Sequence, residues 1–146
     1  MANQPIRLLY SLLCKNATPS GEYRASYTFK GVTNIILPQS YPYTFDYNLI
    51  TCWLLDNFEH TERIEIRYKT PSDQPAIWFS EDTLPMAKKH FEGDVHISVI
   101  PPEDIKVDIP GDSIIVFCVF LDGKLVHNQP AFVHRIQQES QKSSNV

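Results

Sequence analysis

Cys118 and His127 flank Asp122-Gly123, and that spacing offers the sequence its best opening for a thiolate nucleophile or a metal ligand set. Asp-Gly favours a two-residue type I′ hairpin loop, whose central residues both need positive φ. Such a loop sets Leu121 against Lys124 and Cys118 against His127, with His134 further along the same segment. Structural zinc wants roughly four converging nitrogen or sulfur ligands. The histidines, His60, His90, His96, His127 and His134, contain no His-x-x-x-His, and Cys14, Cys52 and Cys118 no Cys-x-x-Cys. His60-Thr61-Glu62 has the His-x-Glu of zinc deaminases without their Pro-Cys-x-x-Cys half. A thiol among Ile, Val and Phe has a raised pKa and is a poor nucleophile. Ordinary packing is the simpler account of Cys118 and His127, and no cofactor is expected.

Two other groups point to ligands. "PPEDIKVDIPGD" at 101–112 gathers Glu103, Asp104, Asp108 and Asp112, while Glu81, Asp82, Glu92 and Asp94 fall in other loops. Calcium needs about six to eight oxygens, so Asp104, Asp108 and Asp112 are candidate ligands if these loops converge. The absence of Asp-x-Asp spacing favours a solvated acidic rim. "QSYPYTFDY" places Tyr41, Tyr43, Phe45 and Tyr47 at alternate positions, with Pro42 holding the segment extended. These rings could stack on a carbohydrate or anchor a protein, and burial in the core is the alternative, above all for Tyr47 and Trp53. Trp78-Phe79 lies elsewhere. There is no Gly-rich phosphate loop, Walker pattern or Gly-x-Ser-x-Gly elbow, and paired carboxylates for glycoside hydrolysis require geometry to judge.

The frame for these groups is a chain of 146 residues, enough for one domain with its own core. A net charge of -4 supplies no electrostatic reason to approach nucleic acid or an anionic membrane. Three widely spaced cysteines in apolar runs suit buried thiols in a reducing compartment. Arg7 precedes a short apolar run, but Ser11 interrupts it and Cys14-Lys15-Asn16 ends it, unlike a secretory signal. A cytoplasmic location is expected, and Asn16-Ala17-Thr18 is then a turn rather than a glycosylation site. No run approaches the roughly 18 apolar residues that span a bilayer.

Five glycines and eleven prolines punctuate segments of β-branched and aromatic residues, so the chain reads as all-β. "RIEIRYK" alternates Ile64, Ile66 and Tyr68 with Arg63, Glu65, Arg67 and Lys69, a half-buried strand. "EYRASYTFKG", "GVTNIIL" and "DVHISVI" suggest others; the last sets Val95, Ile97 and Val99 against His96 and Ser98. Segments 6–14, 46–55 and 113–121 are instead apolar on both faces. In "SIIVFCVFL", Ile114, Val116, Cys118 and Phe120 oppose Ile115, Phe117, Val119 and Leu121, so both sides need cover. At most one short helix is expected, near 80–93, where Leu84, Ala87 and Phe91 have helical spacing and Pro85 suits a first turn. Pro130 should break the final strand, marking an edge, a bulge or a change of sheet.

These elements predict an antiparallel two-sheet β-sandwich of about eight or nine strands over 1–136, with a partly open barrel as the alternative. The polar stretch 137–146 reads as a disordered tail. The Cys-Trp-Cys pattern of immunoglobulin domains is missing, since Trp53 adjoins Cys52. "LLYSLLC", "GEYRASYTFKGVTNIILPQSYPY" and "IPGDSIIVFCVFLDGKLVHNQPAFV" together resemble a family of small bacterial proteins of unknown function, over roughly 6–136. Pro110-Gly111 and Asp122-Gly123 match its turns, and Tyr41-Pro42 its aromatic-proline step. The resemblance implies the fold and assigns no catalytic residue.

The functional expectation is a non-enzymatic protein-interaction module that self-associates through an apolar strand face, with Phe117 and Val119 on its outward side. The alternative is ligand binding, either carbohydrate on 41–47 or calcium at 101–112. Neither nucleic acid nor membrane is an expected partner.

Overall fold

The computed structural model describes residues 5–19, 27–69, 75–87 and 95–136, with backbone alone at 68–69 and 75–79. The expected tail at 137–146, the first part of "EYRASYTFKG", His90, Glu92, Asp94 and the side chains of Trp78 and Phe79 lie outside the described residues. In chain order the elements are β1 (Arg7–Cys14), β2 (Asn16–Pro19), β3 (Tyr27–Lys30), β4 (Ile35–Ile36), β5 (Tyr43–Thr44) and β6 (Asn48–Leu54). There follow β7 (His60–Lys69), β8 (Pro75–Leu84), β9 (Val95–Ile100), α1 (Pro102–Ile105), β10 (Asp108–Ile109), β11 (Ser113–Leu121) and β12 (Lys124–Val133). The fold is all-β with one short helix. A three-stranded sheet runs β1-β6-β9, a five-stranded sheet runs β4-β12-β11-β7-β8, and two ribbons pair β2 with β3 and β5 with β10.

Side chains of both large sheets share one core. Leu13, Leu49 and Trp53 from the smaller sheet cluster with Ile64, Ile66, Ile115, Phe117, Val119, Ala131 and Val133 from the larger. β7 behaves as its alternation requires, with Ile64 and Ile66 buried and the charged Arg63, Glu65, Arg67 and Glu81 forming ion pairs on the opposite face. β6, central in its sheet, is buried from Leu49 to Leu54 on both sides, which explains its unbroken apolar run. Outside that sheet, Phe29 of β3 meets Tyr10 of β1 edge-on, with ring centroids 6.3 Å apart. Gly31, at φ +70°, ends β3 where an added Cβ would sit 2.9 Å from the Lys15 Cβ. The β2–β3 ribbon thus needs glycine there for both backbone and space.

The helix expected near 80–93 is not formed over its described part. Ser80–Leu84 completes β8, paired residue by residue with β7, and Leu84 is fully buried against the core. Sheet pairing overrides the weak local helical spacing. The one-turn helix is instead at Pro102–Ile105, where Pro102 opens the first turn and Glu103 and Asp104 supply acid at its start.

Asp122 and Gly123 take positive φ and Leu121 pairs with Lys124, so the hairpin forms as expected. The register beyond it differs. Phe120 pairs with Leu125 and Val119 with His127, leaving Val126 as a bulge. Cys118 therefore faces Asn128 and not His127. The ladder continues through Pro130, which pairs with Val116; β12 tolerates proline because β4 flanks it only at Phe132 and Val133.

Candidate functional site

Phe117 and Val119, expected on the outward side of β11, are fully buried in the core. Their pairing partners in β7 are Ile66 and Ile64, the inward residues of that strand, and directly paired residues share a sheet face. The outward apolar face is the other one. There Ile114 pairs with Phe132, and Phe132 with Ile35 of β4, giving one row across three strands. Its members are 52%, 42% and 53% exposed respectively. Leu37 and Ile136 extend it, both exposed and drawn alongside by the Ile136 N–H to Pro38 carbonyl bond of 2.9 Å. Leu125 and Val126 are also exposed, further along β12, where no strand among the described residues ladders with the outer edge of Lys124–Ala131, although the Ser11 hydroxyl of β1 donates to the Gln129 side chain.

The aromatic segment lies mostly against the core. Phe45 is buried, with its ring centroid 5.5 Å from that of Phe117, and Tyr41, Tyr43 and Tyr47 pack half-buried around the same cluster. The hydroxyl of Tyr41 donates to Asp112 and that of Tyr43 to Asp46. Lys15 Nζ sits 4.2 Å from the Tyr47 ring centre and 2.5 Å from Asp46 Oδ2. Lys15, Pro42, Tyr43, Asp46 and Tyr47 line an open groove of about 410 Å³. A stack of free rings is not what this segment presents, because Phe45 is inside and the Tyr47 face is taken by a lysine.

The acidic candidates go separate ways. Asp112 accepts from Tyr41, from the Arg135 N–H and from His134. Asp108 accepts from Thr44 Oγ1 at 2.7 Å, and Asp104 lines a cavity described below. No three His, Cys, Asp or Glu side chains are placed to hold a metal ion among the described residues. Burial raises the pKa of Cys14, Cys52 and Cys118 alike, which keeps the thiols protonated.

Two residues that carry chemistry come from the His60-Thr61-Glu62 triplet, in surroundings its spacing does not foretell. His60 bridges Asp56 and Asp122, with Nε2 2.8 Å from Asp56 Oδ1 and Nδ1 2.6 Å from Asp122 Oδ2. Burial disfavours the charged ring, yet the two carboxylates outweigh it and the His60 pKa is raised. Asp122 is held low first by His60 and then by the Thr61 N–H; Asp56, opposed by burial, is held low by the Phe58 N–H, His60 and the Ile6 N–H. This clamp ties the β11–β12 turn to the start of β7.

Glu62 is the second. It is only 2% exposed, on β7 where that strand meets β6. Its Oε2 accepts from Thr51 Oγ1 at 2.6 Å and from Trp53 Nε1 at 2.5 Å, both on β6. Burial raises its pKa, the two donors lower it, and Asp82 opposite adds to the rise. A cavity of about 400 Å³ opens beside it, lined from β7 and β8 by Glu62, Ser80 and Asp82 and from β9 by His96 and Ser98. Registers explain the gathering. Glu62 pairs with Asp82 and Ile64 with Ser80, while Thr51 and Trp53 pair with Ser98 and His96. Each polar residue shares a face with an inward neighbour. The signal was present in the sequence, since Glu62 continues the phase of Ile64 and Ile66, but nothing there sets β9 opposite.

No family model matches the chain, and no curated protein matches it either. Among the described residues no helix is long and apolar enough to cross a membrane.

Proposed function

We propose that this protein is a non-enzymatic interaction module, a two-sheet sandwich that self-associates through β12 and the outer face beside it. The observation that carries the reading is the Ile35–Phe132–Ile114 row, in which large apolar side chains stay exposed on adjacent strands. Burying such side chains in a partner is worth about 1.5–3 kcal/mol each. A second copy is the favoured occupant because the row adjoins a strand edge unpaired from Lys124 to Ala131 among the described residues. An antiparallel edge can pair with its own image about a two-fold axis, as an isologous interface requires. Pro130, lacking an N–H, confines such pairing to the hairpin side of the strand.

The buried, protonated thiols give no support to an enzymatic reading, and the same proposal includes a cytoplasmic setting and the kinship with small bacterial proteins. The test is solution mass by light scattering behind a sizing column, across a dilution series. A dimer that Phe132→Asp converts to a folded monomer supports the reading. A wild-type monomer at all concentrations, or a dimer unaffected by Phe132→Asp and Ile114→Asp, overturns it.

A further inference from the structure

The cavity beside Glu62 has a composition that core packing does not call for. It is lined by Glu62, Glu81, Asp82 and Asp104, by Ser80, Ser98 and His96, and by Ile64, Ile97, Val99 and Ile100, with no lysine or arginine among its lining residues. Glu81 is neutralised from outside by Arg63 Nη1 at 2.7 Å. The others face no lysine or arginine in the lining. Carboxylates alone would not make a site, but two further observations point into the space. Both protein donors to Glu62 use Oε2, so Oε1 accepts nothing among the described residues although the side chain is almost wholly buried. Ser98 Oγ is also buried without a hydrogen-bond partner among the described residues. Buried polar atoms are nearly always satisfied in folded proteins, and among the described residues the Ser98 hydroxyl is left over on the same cavity that Glu62 lines.

We propose that this cavity binds a small organic cation, an ammonium group on a short apolar body, held by Glu62 Oε1 with Ser98 Oγ and Asp82 beside it. The volume falls within the usual range of small-molecule sites, about 300–1,000 Å³. An ammonium supplies donors only, which suits the carboxylates on this wall. Ile64 and Ile100, in phase with Glu62 and Ser98 on their strands, suit the ligand's apolar body. Trp53 holds Glu62 from behind, so its indole N–H reports on that carboxylate. The inference is independent of self-association, which uses the opposite face of the larger sheet.

The test is a titration of the full, ¹⁵N-labelled chain with 1,4-diaminobutane, followed at the Trp53 indole N–H, with butyrate and 1-butanol as anionic and neutral probes of similar length. The expected result is a saturable shift with the diamine alone. Affinity should fall at least about tenfold in Glu62→Gln, which keeps an acceptor for Thr51 and Trp53 but removes the charge. Asp82→Asn, further from the two donors, should weaken binding by a smaller factor and decides the matter if Glu62→Gln does not fold. No saturable shift by about 10 mM, an equal response to butyrate or butanol, a response to calcium chloride in place of the diamine, or unchanged affinity in the folded variants would each overturn the proposal.

Discussion

Replacing His60 by alanine separates the two arms of the clamp energetically. The inner arm joins a ring 15% exposed to an Asp56 side chain 9% exposed, so it is poorly screened. A hydrogen bond between charged groups in such a place contributes about 1.5–3 kcal/mol. The outer arm reaches Asp122, whose side chain is 49% exposed, and exposed pairs are worth only about 0.2–1 kcal/mol. The sum is about 2–4 kcal/mol, or roughly 5–15 °C in Tm for a chain of this size. The loss depends on pH in a definite direction. His60 is raised from 6.5, so its contribution is complete below the unfolded value and disappears as pH rises through the folded one. Asp56 and Asp122 are lowered from 3.8; theirs is complete above that value and lost as pH falls through the folded ones. A neutral imidazole has one donor, and above its pKa it cannot satisfy both carboxylates. Urea unfolding of wild type and His60→Ala should therefore differ most between about pH 4 and 6.5 and least near pH 9. A difference that is flat from pH 5 to 9, or below about 0.5 kcal/mol at pH 5.5, would refute this account of the clamp.

Glu62→Gln should leave stability nearly unchanged at acid pH, where Glu62 is protonated, and raise it relative to wild type as pH increases. An acid whose folded pKa is raised costs stability from its unfolded value up to the folded one, and denaturant melts at pH 4.5 and 8 read that divergence. Gly31→Ala should cost about 1–3 kcal/mol, the usual penalty for a non-glycine residue in the left-handed region, plus the displacement of Lys15 by a Cβ at 2.9 Å; a thermal melt within about 0.5 kcal/mol of wild type would show that the ribbon is not constrained there.

The clearest parts of the fold were legible wherever one local rule decided them. The alternation in β7 names its inward face, and Asp122-Gly123 names its turn, because neither depends on distant chain. β11 is the opposite case. Both its faces are apolar, so a period of two cannot say which is inside; only its pairing with Ile64 and Ile66 places Phe117 and Val119 in the core. That pairing is non-local and leaves no trace in β11 itself. The Val126 bulge likewise lies in an ordinary apolar stretch, and one extra residue moved His127 away from Cys118. Crowding of carboxylates is visible at 101–112, whereas the buried one stands in sequence only as the end of His60-Thr61-Glu62 and gains its meaning through β6 and β9.

The parallel pairing of β4 with β12 also bears on vectorial synthesis. β4 is made early, yet its partner strand is among the last elements in chain order. β1, β6 and β9 can assemble while the chain is still growing, and β7–β8 and β11–β12 close as local hairpins. Ile35 and Ile36 must wait for β12, with the longest loop closure in the larger sheet. A nascent chain stalled before Lys124 therefore carries two unsealed strand edges, those of β4 and β11, and is the species for which chaperone contact matters most.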